Sequence, residues 1–387
     1  MFFETPTRFG SDLAPAPHAF LLAATIPALR RGETRVRVEG GVCPRLHDGL
    51  VRAMGLLSGW HGPGRRAPVI EATEEFALPP AGESRRALFL SGGVDSLDLL
   101  RADGAEDHGA RSDRFRDAFC VEGFDIHWGP GERRTDLFER TLASLAPVAR
   151  EAGVVLIPVR TNLRELDSGS AWLSEWLAAG TAAVAHAFTR RIDRVAIASS
   201  AHETDAVPMG THPELDPLYS SAELAVSHEG ASERRIDKVA RVAAWDTALC
   251  ALRVCYQMDA LAQSQRFNCG HCHKCVLTML ELVAAGRLAA CPTFEANDVH
   301  PEMTNALRPT SASSSGYYRE LLAPLRARGR ADLAAAVAHK LAVHEEFERR
   351  RYRRPWWSRL RRKYPRRLAA WAWEQARVDE TGAPARR

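Results

Sequence analysis

The stretch Leu88-Phe89-Leu90-Ser91-Gly92-Gly93-Val94-Asp95-Ser96-Leu97 restricts the fold of this chain more than any other. An apolar run from Ala87 to Leu90 ends in a small, polar, glycine-containing turn, and an amphipathic segment through Leu97, Leu99 and Leu100 follows. That order reads as buried strand, tight loop and helix N-terminus. Such a junction points free backbone N–H groups and the positive end of a helix dipole at one spot, which suits a phosphate chain. Gly92 and Gly93 let the backbone approach an anion closely, while Ser91 and Ser96 add hydroxyl donors. Asp95 is placed to hold a Mg²⁺ ion that shields phosphate charge. Val94 lies between these polar positions. No Gly-Lys-Ser/Thr follows, so the loop is not a Walker loop.

Around this junction, strand and helix patterns alternate from Ser84 to about Asn297. Strands are expected at Ala87–Leu90, Ala118–Val121, Val154–Val159 and Val195–Ser199, with helices at Thr135–Arg150 and Ser170–Arg190. Pro147 is expected to disturb the first of these helices near its end. Repeated βα units predict an α/β fold, a parallel sheet covered on both faces with ligands gathered outside the strand C-terminal ends. The polar residues collect there: the loop after strand one, Gly123-Phe124-Asp125 after strand two, Thr161-Asn162 after strand three and Ser199-Ser200-Ala201-His202-Glu203 after strand four. The stretch from His202 to Lys238 reads as a long loop carrying substrate contacts. Near its end, Arg234 and Lys238 lie four apart and together could face a phosphate or carboxylate.

Residues 1–83 read as a small α/β domain. Helices are expected at His18–Leu29 and Pro44–Trp60, and strands at Arg35–Glu39 and Pro68–Ala72. Leu78-Pro79-Pro80-Ala81-Gly82-Glu83 reads as a linker.

The second chemical signal is Asn268-Cys269-Gly270-His271-Cys272-His273-Lys274-Cys275. Three thiols at Cys-x₂-Cys-x₂-Cys spacing can wrap one tetrahedral ion, and Gly270 allows the tight backbone this needs. Cys255, Cys291, His271 and His273 compete for the fourth position. Zn²⁺ and an iron–sulfur cluster both accept four thiolates, and a catalytic thiol is a third use for such a cluster.

Two motifs carry a resemblance. Ser91-Gly92-Gly93-Val94-Asp95-Ser96 resembles the SGGxDS loop of the PP-loop ATP pyrophosphatases, which adenylate a substrate and split ATP into AMP and pyrophosphate. Cys255-Tyr256, the cysteine triplet, Ala285-Gly286 and Cys291-Pro292-Thr293-Phe294 resemble the 7-cyano-7-deazaguanine synthase branch of that superfamily. The resemblance runs from about Ala87 to Phe294. It implies a Rossmann-like nucleotide domain of the HUP/PP-loop type over residues 84–298. It implies an ATP and Mg²⁺ site at Ser91, Gly92, Gly93, Val94, Asp95 and Ser96, with Asp95 and Ser96 catalytic, and adenosine contacts at Phe124 and Asp125. It also implies a structural Zn²⁺ on Cys255, Cys269, Cys272 and Cys275, with Cys291 a neighbour. The acidic, Arg-containing segment by which the synthases recognise a deazapurine has no counterpart in Ser199–Ser220. What carries over is therefore adenylation of a carboxylate or amide oxygen for attack by ammonia or another nucleophile, with the acceptor left open.

Residues 299–387 read as a helical extension, with a polar connector at Thr310–Gly316, an Ala-rich helical segment to Glu348 and a basic stretch at 349–367. That stretch has no acidic residue and contains Tyr352, Trp356, Trp357 and Tyr364. It reads first as a solvated tail whose tryptophans pack back on the core. Basic residues interleaved with aromatics also suit nucleic acid, an anionic surface or an acidic partner. Two alternatives to a small-molecule ligase follow: an enzyme acting on a base within a nucleic acid, and a non-catalytic nucleotide-binding partner in a multi-gene biosynthetic or defence system. An oligomer is compatible with all three.

The net charge of +4 over 387 residues is mild. No apolar run approaches the ~20 residues of a membrane span. The start of the chain lacks the basic and apolar parts of a signal peptide, so the cytoplasm is the expected compartment, with the eight cysteines as thiols or metal ligands.

Overall fold

The computed structural model describes residues 1–14, 16–78, 83–105, 114–126, 132–167, 171–257, 261, 265–307 and 312–353. Most of the basic stretch, with Trp356, Trp357 and Tyr364, lies outside the described residues, as does most of the Pro-rich linker.

The order of elements begins with β1 (Phe3–Glu4), α1 (Pro17–Arg31), β2 (Arg35–Gly41), α2 (Pro44–His61) and β3 (Val69–Glu74). The central alternation follows as β4 (Arg86–Phe89), α3 (Val94–Ala105), β5 (Phe115–Glu122), α4 (Glu132–Ala152), β6 (Val155–Thr161), α5 (Leu177–His186), β7 (Arg194–Ala198) and β8 (Ala225–Glu229). Then come α6 (Arg235–Ala243), α7 (Asp246–Leu249), α8 (His273–Ala285), α9 (Pro301–Asn305), α10 (Ala312–Ala327) and α11 (Ala331–Arg353). The protein is α/β, with a mostly parallel central sheet.

That sheet runs β1-β6-β5-β4-β7-β8, and every neighbouring pair is parallel except β1 on β6. Successive strands leave β4 first to one side and then, after β6, to the other. The chain order thus reverses beside β4, and the crevice outside its C-terminal end is where an open α/β sheet binds ligands. The Ser91–Ser96 loop leaves β4 at this point.

Alternation along the strands divides the core between two faces. Leu88, Ala118, Cys120 and Ala196 join α3, α6, α8 and the C-terminal helices through Leu97, Val239, Leu280, Tyr318 and Leu333. Ala87, Phe119, Ile157 and Val195 face the other way, into a layer with Leu22 and Ile26 of α1, Leu50 and Met54 of α2 and Ala182 of α5. Helices α1 and α2 thus cover one face of the main sheet and β1 extends it, while β2 and β3 pair in parallel. Glu175 clamps this arrangement, taking ion pairs from both Arg30 and Arg65.

Three expectations change. α4 continues through Pro147 to Ala152, its last turns held by Leu145, Val148 and Ala149 in the core. Ser313, Ser314 and Ser315 of the expected connector lie within α10, which begins at Ala312 and packs through Tyr318 and Leu321, while Thr310 and Ser311 lie outside the described residues. The 202–238 stretch is more than a loop, because it contains β8. That strand is short and polar, and it forms an edge whose register is fixed by pairing with β7 rather than by an apolar pattern.

Candidate functional site

The loop after β4 is tightly organised. Gly92 has φ +78°, and a Cβ there would stand 2.8 Å from the Ala251 carbonyl oxygen, so both its conformation and its surroundings require glycine. The Gly93 N–H donates to Ser91 Oγ at 3.2 Å, the Ser91 N–H to Ser96 Oγ at 3.3 Å, and Ser96 Oγ–H to the Gly93 carbonyl at 3.1 Å. Val94 starts α3 and is buried with Leu97. The first N–H groups of that helix have no acceptor within it. Asp95 lies in this first turn, and its Oδ1 is buried without a hydrogen-bond partner.

Cations gather behind Asp95. Arg235 and Lys238, both buried on one face of α6, interact electrostatically with it. Burial opposes the Arg235 charge, but Glu281 at 3.1 Å and Asp95 outweigh it and hold the guanidinium firmly protonated. Burial lowers the Lys238 pKa against the pull of Asp95 and Asp98, and its Nζ donates to the Ser199 carbonyl at 2.7 Å. Burial also raises Glu281 to about 7. Arg241 closes the outer side with a bidentate pair to Asp98 at 2.7 and 3.0 Å. The pairing of Arg234 with Lys238 expected from spacing does not form. Arg234 turns to Glu320 at 2.8 Å, and the adjacent Arg235 shares the inner face with Lys238.

Phe124 and Asp125 follow β5 on the same sheet edge. The half-buried Phe124 ring packs against Trp172 with centroids 5.0 Å apart, and Asp125 is exposed, its charge acting on Arg164. Gly123 before them has φ +114°, and a Cβ would fall 1.9 Å from the Thr161 carbonyl oxygen, which fixes the exit of β5 against β6.

The four thiols of Cys255, Cys269, Cys272 and Cys275 meet, all within 4.8 Å of one another. Cys255 Sγ to Cys272 Sγ and Cys269 Sγ to Cys275 Sγ are both 3.8 Å. Thiolates at about 2.3 Å from a central ion form a tetrahedron with edges of about 3.8 Å, so the donor set fits one metal ion such as zinc. In a [4Fe–4S] cluster each thiolate binds its own iron, and in a [2Fe–2S] cluster the thiolates bind two irons in pairs, so both spread the four sulfurs wider than one coordination tetrahedron. Asn268 holds the two halves of the site together. Its Oδ1 accepts from the Val254 and Cys255 N–H groups at 2.9 and 3.2 Å, and its Nδ2 donates to Leu252 and Thr293. Gly270 makes the turn between the first two triplet cysteines at φ +75°, and Cys272 opens α8. Cys291 is outside the set, its thiol directed to the Leu249 carbonyl and Thr293. The Cys255 thiol beside it pulls Cys272 far below an ordinary thiol's range.

The motifs alone do not reveal that Arg253 joins the two centres. Its N–H donates to the Gly92 carbonyl at 2.8 Å and its guanidinium to the Ser91 carbonyl at 3.0 Å, two residues before the first thiol. Nor does spacing reveal Arg235, because only the packing of α6 on α8 separates it from Arg234.

Comparison with protein-family models, with curated proteins and with solved structures finds no match. Fold and site define an α/β protein with a glycine–serine loop at the reversal of its sheet and a four-thiol centre bound to that loop. No helix among the described residues is long and apolar enough to cross a membrane.

Proposed function

We propose that this chain is an ATP-dependent adenylating enzyme of the PP-loop type, forming AMP and pyrophosphate as it activates a carboxylate or amide oxygen. Supporting this most directly is the buried, unpartnered Oδ1 of Asp95 in the first turn of α3, at the ligand crevice of the sheet. A lone carboxylate oxygen in that position suits a divalent cation on a phosphate chain. Asp95 would hold Mg²⁺, which supplies neutralisation of phosphate charge. The N–H groups opening α3 and the Ser91 and Ser96 hydroxyls would bind the departing pyrophosphate, with Arg235 and Lys238 keeping the local field positive. Phe124 and Asp125 would border the adenosine. The substrate oxygen attacks the α-phosphorus, pyrophosphate leaves, and ammonia or another nucleophile then displaces AMP. Cys255, Cys269, Cys272 and Cys275 would hold a structural Zn²⁺ that pins the segment carrying Arg253 to the loop.

The test is release of AMP and pyrophosphate by the full chain over a panel of carboxylic acids, alongside Asp95→Ala. The variant should fold and lose on the order of 10²–10³ or more in rate. Undiminished turnover in it overturns the assignment.

A further inference from the structure

A small pocket lies beyond the C-terminal ends of β7 and β8, lined by Ser199, Ser200, Met209, His212 and His228 among others. We propose that this pocket binds ammonia or a small amine, with His228 Nε2 accepting a proton from its nitrogen. The use of that amine as a nucleophile rests on the adenylation reading above; its binding does not.

The geometry begins at Asp216, which is fully buried. Its Oδ2 lies 2.7 Å from His228 Nδ1 and accepts from Thr211 Oγ1 at 2.7 Å, while its Oδ1 accepts from the His212 N–H at 2.9 Å. A carboxylate held by three donors cannot swing away, so it fixes the imidazole with the hydrogen on Nδ1 and the lone pair on Nε2. The His228 side chain is only 4% exposed, and its Nε2 is buried without a partner. A histidine buttressed by a carboxylate on one nitrogen and open on the other is the arrangement of a proton acceptor or of a metal ligand. The cysteine set is the one group of three or more metal-ligating side chains found among the described residues, so the open nitrogen at His228 suits a proton-bearing ligand.

The pocket's charge selects the ligand. Among its lining residues there is no Lys or Arg, and the exposed Glu203 stands among them. An anionic ligand meets no Lys or Arg side chain in that lining, whereas an N–H donor meets the lone pair of Nε2. Position links the pocket to the loop. Ser199 and Ser200, on the pocket wall, receive hydrogen bonds at their carbonyls from Lys238 at 2.7 Å and Tyr317 at 2.8 Å, and Lys238 interacts with Asp95. In the second half-reaction, the amine nitrogen forms the C–N bond as the C–O bond to AMP breaks. AMP leaves with the bonding pair, and an N–H proton passes to Nε2, leaving an imidazolium against Asp216.

The test uses the full chain labelled with ¹⁵N-histidine and followed by NMR as ammonium chloride or methylammonium chloride is added. Potassium chloride and potassium acetate serve as controls. His228 should show a protonated Nδ1 and a bare Nε2, with a saturable shift on adding either ammonium salt and none with the controls. A protonated Nε2 in the free protein at neutral pH, no saturable shift, or an equal shift with acetate overturns the proposal. His228→Gln assigns the signal, and Asp216→Asn, which must perturb the same resonance, assigns it if that variant does not fold. The two readings fail separately. An amine response without AMP production leaves the site and removes the adenylation reading, and AMP production without the response does the reverse.

Discussion

The backbone N–H of Arg253 donates to the carbonyl of Gly92 at 2.8 Å, so the segment entering the four-thiol centre is bonded directly to the glycine loop. The two motifs are 162 residues apart at the Arg253–Ser91 contact, yet they form one structural unit. Whatever holds the thiols together also fixes the rear of the loop.

Metal removal therefore acts at a distance. The full chain should contain about one zinc ion, and Cys272→Ser should lose it. Because structural zinc contributes about 10–16 kcal/mol in small domains, the variant should unfold at markedly lower denaturant. Hydrogen exchange should accelerate at Gly92 and Gly93 as well as at the cysteines. Unchanged protection at the loop would show that Arg253 holds it without the metal.

Gly92→Ala tests the loop itself. A left-handed conformation costs an alanine roughly 1–2 kcal/mol, and its Cβ also meets the Ala251 carbonyl, which is backbone and yields little. Thermal unfolding should register that loss. Isothermal titration should show weaker ATP binding, because the turn can relax only by shifting the first N–H groups of α3.

Lys238→Met keeps the length of the side chain and removes its charge. The charge-assisted bond to Ser199 disappears, at a cost of about 1.5–3 kcal/mol. Chemical denaturation measures that loss. Faster amide exchange over residues 199–201 would locate it, and exchange unchanged there would contradict the tie between α6 and the end of β7.

Glu281 gives stability a defined pH dependence. Burial raises its pKa from the ordinary 4.5 to about 7. Between those values the folded protein keeps a proton that the unfolded chain has released. This contribution is thus complete below about pH 4.5 and is lost as pH rises towards 7. Glu281→Gln should flatten the melting temperature across that window relative to the parent. A parallel profile in both proteins would refute the assignment.

The four central strands were legible because Ala87–Leu90, Val195–Ala198 and their counterparts are short apolar runs buried on both faces, and helices with apolar stripes separate them. Spacing alone likewise grouped Cys269, Cys272 and Cys275. β8 escaped because an edge strand with the sequence Ala-Val-Ser-His-Glu carries no apolar signature, and only pairing with β7 defines it.

By itself the sequence determined an α/β alternation, a glycine–serine loop between a strand and a helix, and a cluster of thiols. Each is written in neighbouring residues, through backbone sterics at Gly92, side-chain periodicity or ligand spacing. Tertiary structure alone decided that Arg253 ties the loop to the thiols, that Arg235 rather than Arg234 faces inward, and that Asp216 orients His228 towards a pocket. Those relationships depend on which faces of distant elements become buried together, and burial is settled by the packing of the whole chain. The loop is a local fact of the sequence, and its surroundings are a product of the fold.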